Sequence, residues 1–128
     1  MAKTTATPQP PIDLTTMSNH FETGDVESLV RIYAGDAEIA LHAPGERQIL
    51  RGPIGLREGL ERIAAGGLAH DLRLAGLGYG GGYVLDRCRD LRTGRIAAWG
   101  GLTICCGLIT RHTHAPAWNG PADVQPWA

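Results

Sequence analysis

Apolar positions change their spacing halfway along the chain. Leu14, Met17 and Phe21 recur three and four residues apart, which predicts one face of a short helix. Gly24 stops it, and Asp25 can cap a second helix by accepting bonds from amides of the first turn. Val26, Leu29, Val30 and Tyr33 then follow the i, i+3, i+4, i+7 stripe, predicting a helix that runs to Gly35, with Asp36 starting the turn out. Ala37–His42 alternates, as a half-buried strand does, until Ala43-Pro44-Gly45 breaks it. Gly52-Pro53 opens a third helix with Leu56, Leu60 and Ile63 on its apolar face, and Gly66-Gly67 closes it.

From Leu68 the period is two. Leu68, His70, Leu72 and Leu74 share one parity, against Asp71 and Arg73. A turn at Gly80-Gly81-Gly82 leads to a strand over Tyr83–Leu91. A Thr93-Gly94 turn, a strand over Ile96–Cys106, a turn at Gly107 and a strand over Leu108–His114 complete a meander. Gly100-Gly101 inside the long strand predicts a bend or bulge. Residues 1–11 read as a flexible arm, 12–115 as one domain, and 116–128 as a tail able to fold over an opening. Helices first and an antiparallel sheet after them indicate an α+β fold.

Composition narrows the class. The 128 residues are 43% hydrophobic and 20% charged, so a soluble globular domain is expected despite 18 glycines and 8 prolines. A net charge of −1 argues against a nucleic-acid partner, and no apolar run reaches the length of a membrane span. Cys88, Cys105 and Cys106 are an odd number, which excludes a complete internal disulfide framework. Cys105 and Cys106 end an apolar run and are expected as buried, reduced thiols. The start of the chain lacks an apolar signal core, so a cytoplasmic setting is expected.

Strand parity then groups the candidate chemistry. Val84, Asp86, Cys88 and Asp90 share one face of their strand, and Tyr83, Leu85, Arg87, Arg89 and Leu91 the other. With the first face inward, Asp90 and His114 could form a general-base pair, a carboxylate fixing the tautomer of an imidazole, with His42 holding water or acting as the acid. The alternating charges fit a solvated strand equally. His112 and His114 share a strand face, a spacing that suits a pocket, a surface strand end or a metal chelate. His70 is either a satisfied core histidine or a ligand contact. Cys88 reads as a small buried hydrophobe or, less simply, a nucleophile. Trp99 is either a pocket wall or a dimer contact. Gly78–Gly82 lacks the Gly-Lys-Ser/Thr ending of a phosphate loop.

Local signatures add a family resemblance. They are Gly24-Asp25 between two helices, Tyr33-Ala34-Gly35-Asp36-Ala37, His42-Ala43-Pro44-Gly45, Arg51-Gly52-Pro53-Ile54, Val84-Leu85-Asp86-Arg87, Gly94-Arg95 and Gly107-Leu108-Ile109-Thr110. In this order the chain resembles the NTF2-like superfamily, in its SnoaL-like and limonene-epoxide-hydrolase-like branches, over roughly residues 12–115. The resemblance implies a cone, with helices packed on a strongly curved, mainly antiparallel sheet around an apolar pocket, and homodimers through the sheet face. It implies activities such as isomerase, polyketide cyclase, lyase or epoxide hydrolase, or ligand binding without chemistry. Laid on the epoxide-hydrolase pattern, one aspartate falls on Asp90, the bridging arginine on Cys88, the second aspartate on His114, and a water-holding position on His42. A shifted register keeps the arginine as Arg87 and places Arg89 at the aspartate.

The expectation is therefore an enzyme that needs no cofactor or metal and acts on a small apolar molecule by acid–base catalysis. Asp90, His114 and His42 are its catalytic candidates. Asp86, Cys88, His70, Trp99, His112 and Tyr33 are its candidate substrate contacts. The alternative is a non-catalytic binding or dimerisation module of the same fold.

Overall fold

The computed structural model describes residues 12–43, 45–78 and 81–117. The expected arm, Pro44, Tyr79 and Gly80 of the glycine turn, and the tail beyond Ala117 lie outside the described residues. Helix α1 spans Leu14–Thr23. The Asp13 carboxylate accepts from the amides of Thr15 and Thr16 at 3.1 and 3.2 Å, and Gly24, at φ 74°, closes the helix in the left-handed conformation. Met17 and Phe21 point into the core.

Helix α2 is shorter than its apolar stripe predicts. It covers Val26–Val30, capped by Asp25 on the Ser28 amide at 3.2 Å. Tyr33 already begins strand β1, Tyr33–Ala43. The reason is a tertiary hydrogen bond: the Ile109 amide donates to the Ile32 carbonyl at 2.9 Å, drawing the chain into the sheet. Tyr33 is still buried, but from a strand rather than a helix.

Strand β2, Glu46–Arg51, was not predicted. Only Leu50 in it is buried, and it pairs with β1 at the edge of the sheet. An edge strand exposed on both faces shows no apolar alternation to read. Helix α3, Gly52–Ala64, follows, with Leu56, Gly59, Leu60 and Ile63 buried. Strands β3, Leu68–Gly78, β4, Gly81–Asp90, β5, Ile96–Cys105, and β6, Leu108–Pro116, complete the chain.

The six strands make one curled, unclosed sheet in the order β2-β1-β6-β5-β4-β3. Only the β1–β6 pair is parallel. The architecture is α+β, and α1 and α3 pack on the same sheet face, α1 against β3 and α3 against β1. The core between them contains Met17, Phe21, Leu29, Ile39, Leu60, Leu102 and Ile109.

Two local expectations are corrected. The β5 ladder is regular through Gly100 and Gly101, and the register shifts fall at Cys88/Arg89 and Thr103/Ile104 instead. Gly101 is small for another reason: a Cβ there would lie 2.1 Å from the Tyr83 hydroxyl, which covers that strand. Cys105 and Cys106 are exposed rather than buried, because the apolar run ends in the β5–β6 hairpin tip instead of continuing through the core.

Candidate active site

Register builds the site. Leu72, Asp86, Gly100, His114 and Leu41 lie level across five strands. Val84, Leu102, His112 and Ile39 form the next row, and His70, Cys88, Ala98 and Pro116 the row on the other side. Alternate residues of a strand face one side of the sheet, so these rows look toward the helices. Asp86, Cys88 and His112 have no exposed surface, and His70 retains 5%. The face of β4 that points inward is therefore the one carrying Val84, Asp86 and Cys88.

His70 Nδ1 and Asp86 Oδ2 are 2.7 Å apart, both side chains fully enclosed. The carboxylate accepts the Nδ1 proton and so fixes the ring's tautomer and orientation. Helix α1 holds the histidine from three residues on one of its faces. Ser18 Oγ donates to the His70 carbonyl at 2.8 Å, Glu22 Oε2 accepts from the His70 amide at 3.1 Å, and the Phe21 ring stacks on the imidazole at 4.6 Å. Cys88 Sγ lies 3.6 Å from the same Nδ1. Burial, and secondly the charge of Asp86, push the Cys88 thiol well above its ordinary range. It is a protonated, unreactive group.

A second pair faces the first. The Tyr33 hydroxyl lies 2.7 Å from His112 Nδ1, deep in the interior. Burial, reinforced by Asp86, keeps Tyr33 a phenol, and burial holds His112 neutral, with His114 and His70 acting the same way. Either group can donate in this contact, and the tautomer that satisfies the tyrosine O–H is the one in which its proton goes to Nδ1. His112 then carries its own proton on Nε2. His114, edge-on to His112 with ring centres 6.4 Å apart, has its pKa lowered to about 4 by burial, although Asp86 opposes the shift. It too is a neutral imidazole near pH 7.

Three buried polar atoms in this cluster have no partner among the described residues: Asp86 Oδ1, His112 Nε2 and His114 Nδ1. Leaving such groups unsatisfied costs about 1–3 kcal/mol each, so native interiors rarely keep them without a use. Gly100 sits between them. A Cβ on Gly100 would approach Asp86 Cβ to 3.2 Å and His112 Nε2 to 3.6 Å. The arrangement offers a hydrogen-bond acceptor at Asp86, a donor at His112 and a second imidazole at His114.

The structure gathers His70, Asp86, Cys88, His112, His114 and Tyr33 and leaves three candidates elsewhere. Asp90 is four residues along β4 from the Asp86–His114 row, roughly 13 Å at strand rise. Its carboxylate instead accepts from the Arg92 and Thr93 amides, at 2.7 and 3.3 Å, and caps the β4–β5 turn. The Asp90–His114 pair is thus not formed. His42 alternates with Leu41, which pairs with His114 and packs on the core, so His42 faces away. For the same reason His42 cannot join His112 and His114 around one ion. Trp99 lies between Arg87 and Ala115 on the outer sheet face, away from the buried histidines. Arg87 also faces outward, bonded to Asp71 at 2.8 Å.

The His70–Asp86 contact depends on β3–β4 register, which the alternation of either strand alone does not fix. The parity of His70 with Leu72 was the available signal. Phe21 read only as core, and Gly100 only as a bend. One atom each from His70, Asp86 and Cys88 lies within 4.8 Å of the others, a set able to ligate a soft divalent ion if the thiol were deprotonated.

No family model matches the chain, and no curated protein matches it in sequence. Solved structures match the fold. An NTF2-like protein of unknown function from Mesorhizobium loti is 16% identical, with a TM-score of 0.58 over 80% of this chain and 86% of that one. An NTF2-like protein of unknown function from Burkholderia xenovorans is 20% identical, with a TM-score of 0.58 over 89% and 85%. SalBIII, an epoxide hydrolase/cyclase-like enzyme of pyran ring formation in the polyether salinomycin, is 15% identical, with a TM-score of 0.55 over 86% and 89%. The fold of this chain is the NTF2-like fold.

Proposed function

We propose that this protein is an enzyme acting without an organic cofactor on a small, mainly apolar molecule, by acid–base chemistry at the Asp86–His70 and His112–Tyr33 pairs. The observation that carries it is the convergence of unpartnered Asp86 Oδ1 and His112 Nε2 in a buried, largely apolar interior beside Gly100. Asp86 Oδ1 would take a proton from carbon or from a substrate hydroxyl. The Nε2–H of His112 would stabilise negative charge growing on the substrate oxygen, and Tyr33 would fix the orientation of that donor. His114 would bind a polar substituent. This chemistry serves isomerisation or ring closure, the second in keeping with the cyclase-like enzyme of the same fold. An aspartate–arginine–aspartate epoxide hydrolysis is disfavoured, because Cys88 and His114 occupy two of its three positions. We place the protein in the cytoplasm as a homodimer through the outer sheet face, where Trp99 lies.

The test is turnover of a panel of hydroxy-epoxides and enolisable ring ketones, followed by chiral chromatography, with wild-type protein and Asp86→Asn. Turnover that Asp86→Asn lowers at least about 10²-fold supports the reading. The rival is a binding module, favoured by the missing arginine. Compounds that bind the wild type and Asp86→Asn alike, with no turnover by either, would establish the rival.

A further inference from the structure

The β5–β6 hairpin carries a feature with no part in the interior chemistry. Cys105 and Cys106 are adjacent and exposed at its tip, with Sγ atoms 3.6 Å apart. Cys105 pairs with Leu108, leaving Cys106-Gly107 as a two-residue loop. Both loop residues have positive φ, 57° and 84°. That is the type I′ turn, whose first central position normally takes Asn, Asp or Gly. Cys106 is the only positive-φ residue other than glycine among the described residues. A side chain held there is strained, and such strain concentrates at functional positions.

Two outcomes are open to adjacent thiols: a disulfide, or shared coordination of one ion. Geometry separates them. Neighbouring Cα atoms across a trans peptide are about 3.8 Å apart, below the usual disulfide range of about 4.4–6.8 Å, so direct oxidation would strain the turn. A tetrahedral ion with metal–sulfur bonds of about 2.3 Å holds its two sulfurs about 3.8 Å apart. The observed 3.6 Å is the contact of two thiols sharing an S–H···S hydrogen bond, and the sulfurs need to move only a few tenths of an ångström to share an ion.

We propose that the Cys105–Cys106 tip is a two-thiolate site for a soft divalent cation of the zinc–cadmium class. Both thiols release their protons to solvent as the two metal–sulfur bonds form, and the two thiolate charges balance the ion. Water completes the coordination, which the exposure of the tip permits. Soft sulfur ligands select such ions over magnesium or calcium.

Titration of the full, reduced chain with cadmium, followed by thiolate-to-cadmium ultraviolet absorption, tests this, with zinc as competitor. The wild type and Cys88→Ser should show the same saturable band. Cys105→Ser and Cys106→Asn should each lose affinity by about 10²-fold or more, since one of two linked ligands is gone. Asparagine suits the positive φ, so a folding defect at position 106 is avoided, and circular dichroism checks both variants. No band in the wild type, a band that survives the double substitution, or a band abolished by Cys88→Ser would each overturn the proposal. The last result would place the ion at His70, Asp86 and Cys88 instead.

Discussion

A Cβ on Gly100 would stand 3.2 Å from the Cβ of Asp86, tighter than nine in ten real Cβ contacts. The same atom would meet the Thr113 carbonyl oxygen at 3.3 Å. Neither neighbour is a flexible side-chain end, so the sheet must yield. Gly100→Ala should lower stability by about 1–3 kcal/mol, as overpacking does, and reduce ligand affinity or turnover more than tenfold by displacing Asp86 and His112. Urea unfolding measures the first effect. An alanine variant as stable and as active as the wild type would show that the sheet accommodates the methyl group without moving Asp86 or His112.

Asp86→Asn keeps the shape of the side chain and removes its charge and basicity. His70 then faces a neutral amide, a weaker acceptor whose NH2 end can also turn toward the ring. Turnover should fall by about 10²–10⁴-fold. Stability should fall by about 1–3 kcal/mol, the cost of a compromised buried hydrogen bond. Nitrogen-15 shifts of the His70 ring should report a changed tautomer ratio. An unchanged ring spectrum would show that the charge of Asp86 is not needed to fix the tautomer.

Acid should destabilise the fold first through its buried histidines. Burial lowers the His114 pKa to about 4, from an ordinary 6.5, and lowers that of His112 in the same direction. As pH falls, the unfolded chain takes up these protons first, so stability drops from about pH 6.5 down toward pH 4. For His114 alone the loss is on the order of 3 kcal/mol. The Asp13, Asp25 and Asp71 carboxylates, held below their ordinary values by hydrogen bonds from Thr16, Ser28 and Arg87 respectively, add to the loss only below about pH 4. Urea midpoints at pH 7, 6 and 5 should decline, and more gently in His114→Gln. A flat profile over this range would rule out neutral buried histidines.

The three cysteines should separate by reactivity. Cys88 is enclosed and its thiol is held protonated, whereas Cys105 and Cys106 are exposed. Iodoacetamide should modify two positions in the native protein and the third only in denaturant, as peptide mass spectrometry would show. Rapid native labelling of Cys88 would mean that the β3–β4 region opens.

Gly59 tests the packing of α3 on β1. Replacing glycine by alanine within a helix normally stabilises by about 0.5–1 kcal/mol. Here the new Cβ would meet Ile39 side-chain atoms at 2.9 to 3.1 Å. Gly59→Ala should therefore be net destabilising in thermal unfolding, and Gly59→Ala combined with Ile39→Val should recover part of the loss. A stabilised single variant would show that Ile39 has room to move.

Where the information is local, residue pattern alone is enough. Asp13, Gly24 and Asp25 set the helix boundaries through caps that need only a few neighbouring residues. Alternation in β4 sorted Asp86 and Cys88 from Arg87 and Arg89, because successive side chains on a strand must face opposite ways. Motif order indicated the NTF2-like fold. Tertiary structure decided what depends on register. Tyr33 left the helical stripe because the Ile109 amide captured the Ile32 carbonyl. Asp86 rather than Asp90 came level with His114, and His70 met Asp86 across a turn whose pairing no local pattern fixes. A slip of one residue along a strand turns every side chain to the other face. Parity names two possible sets of partners, and only the packing of α1 on β3, with Phe21 over His70, selects one.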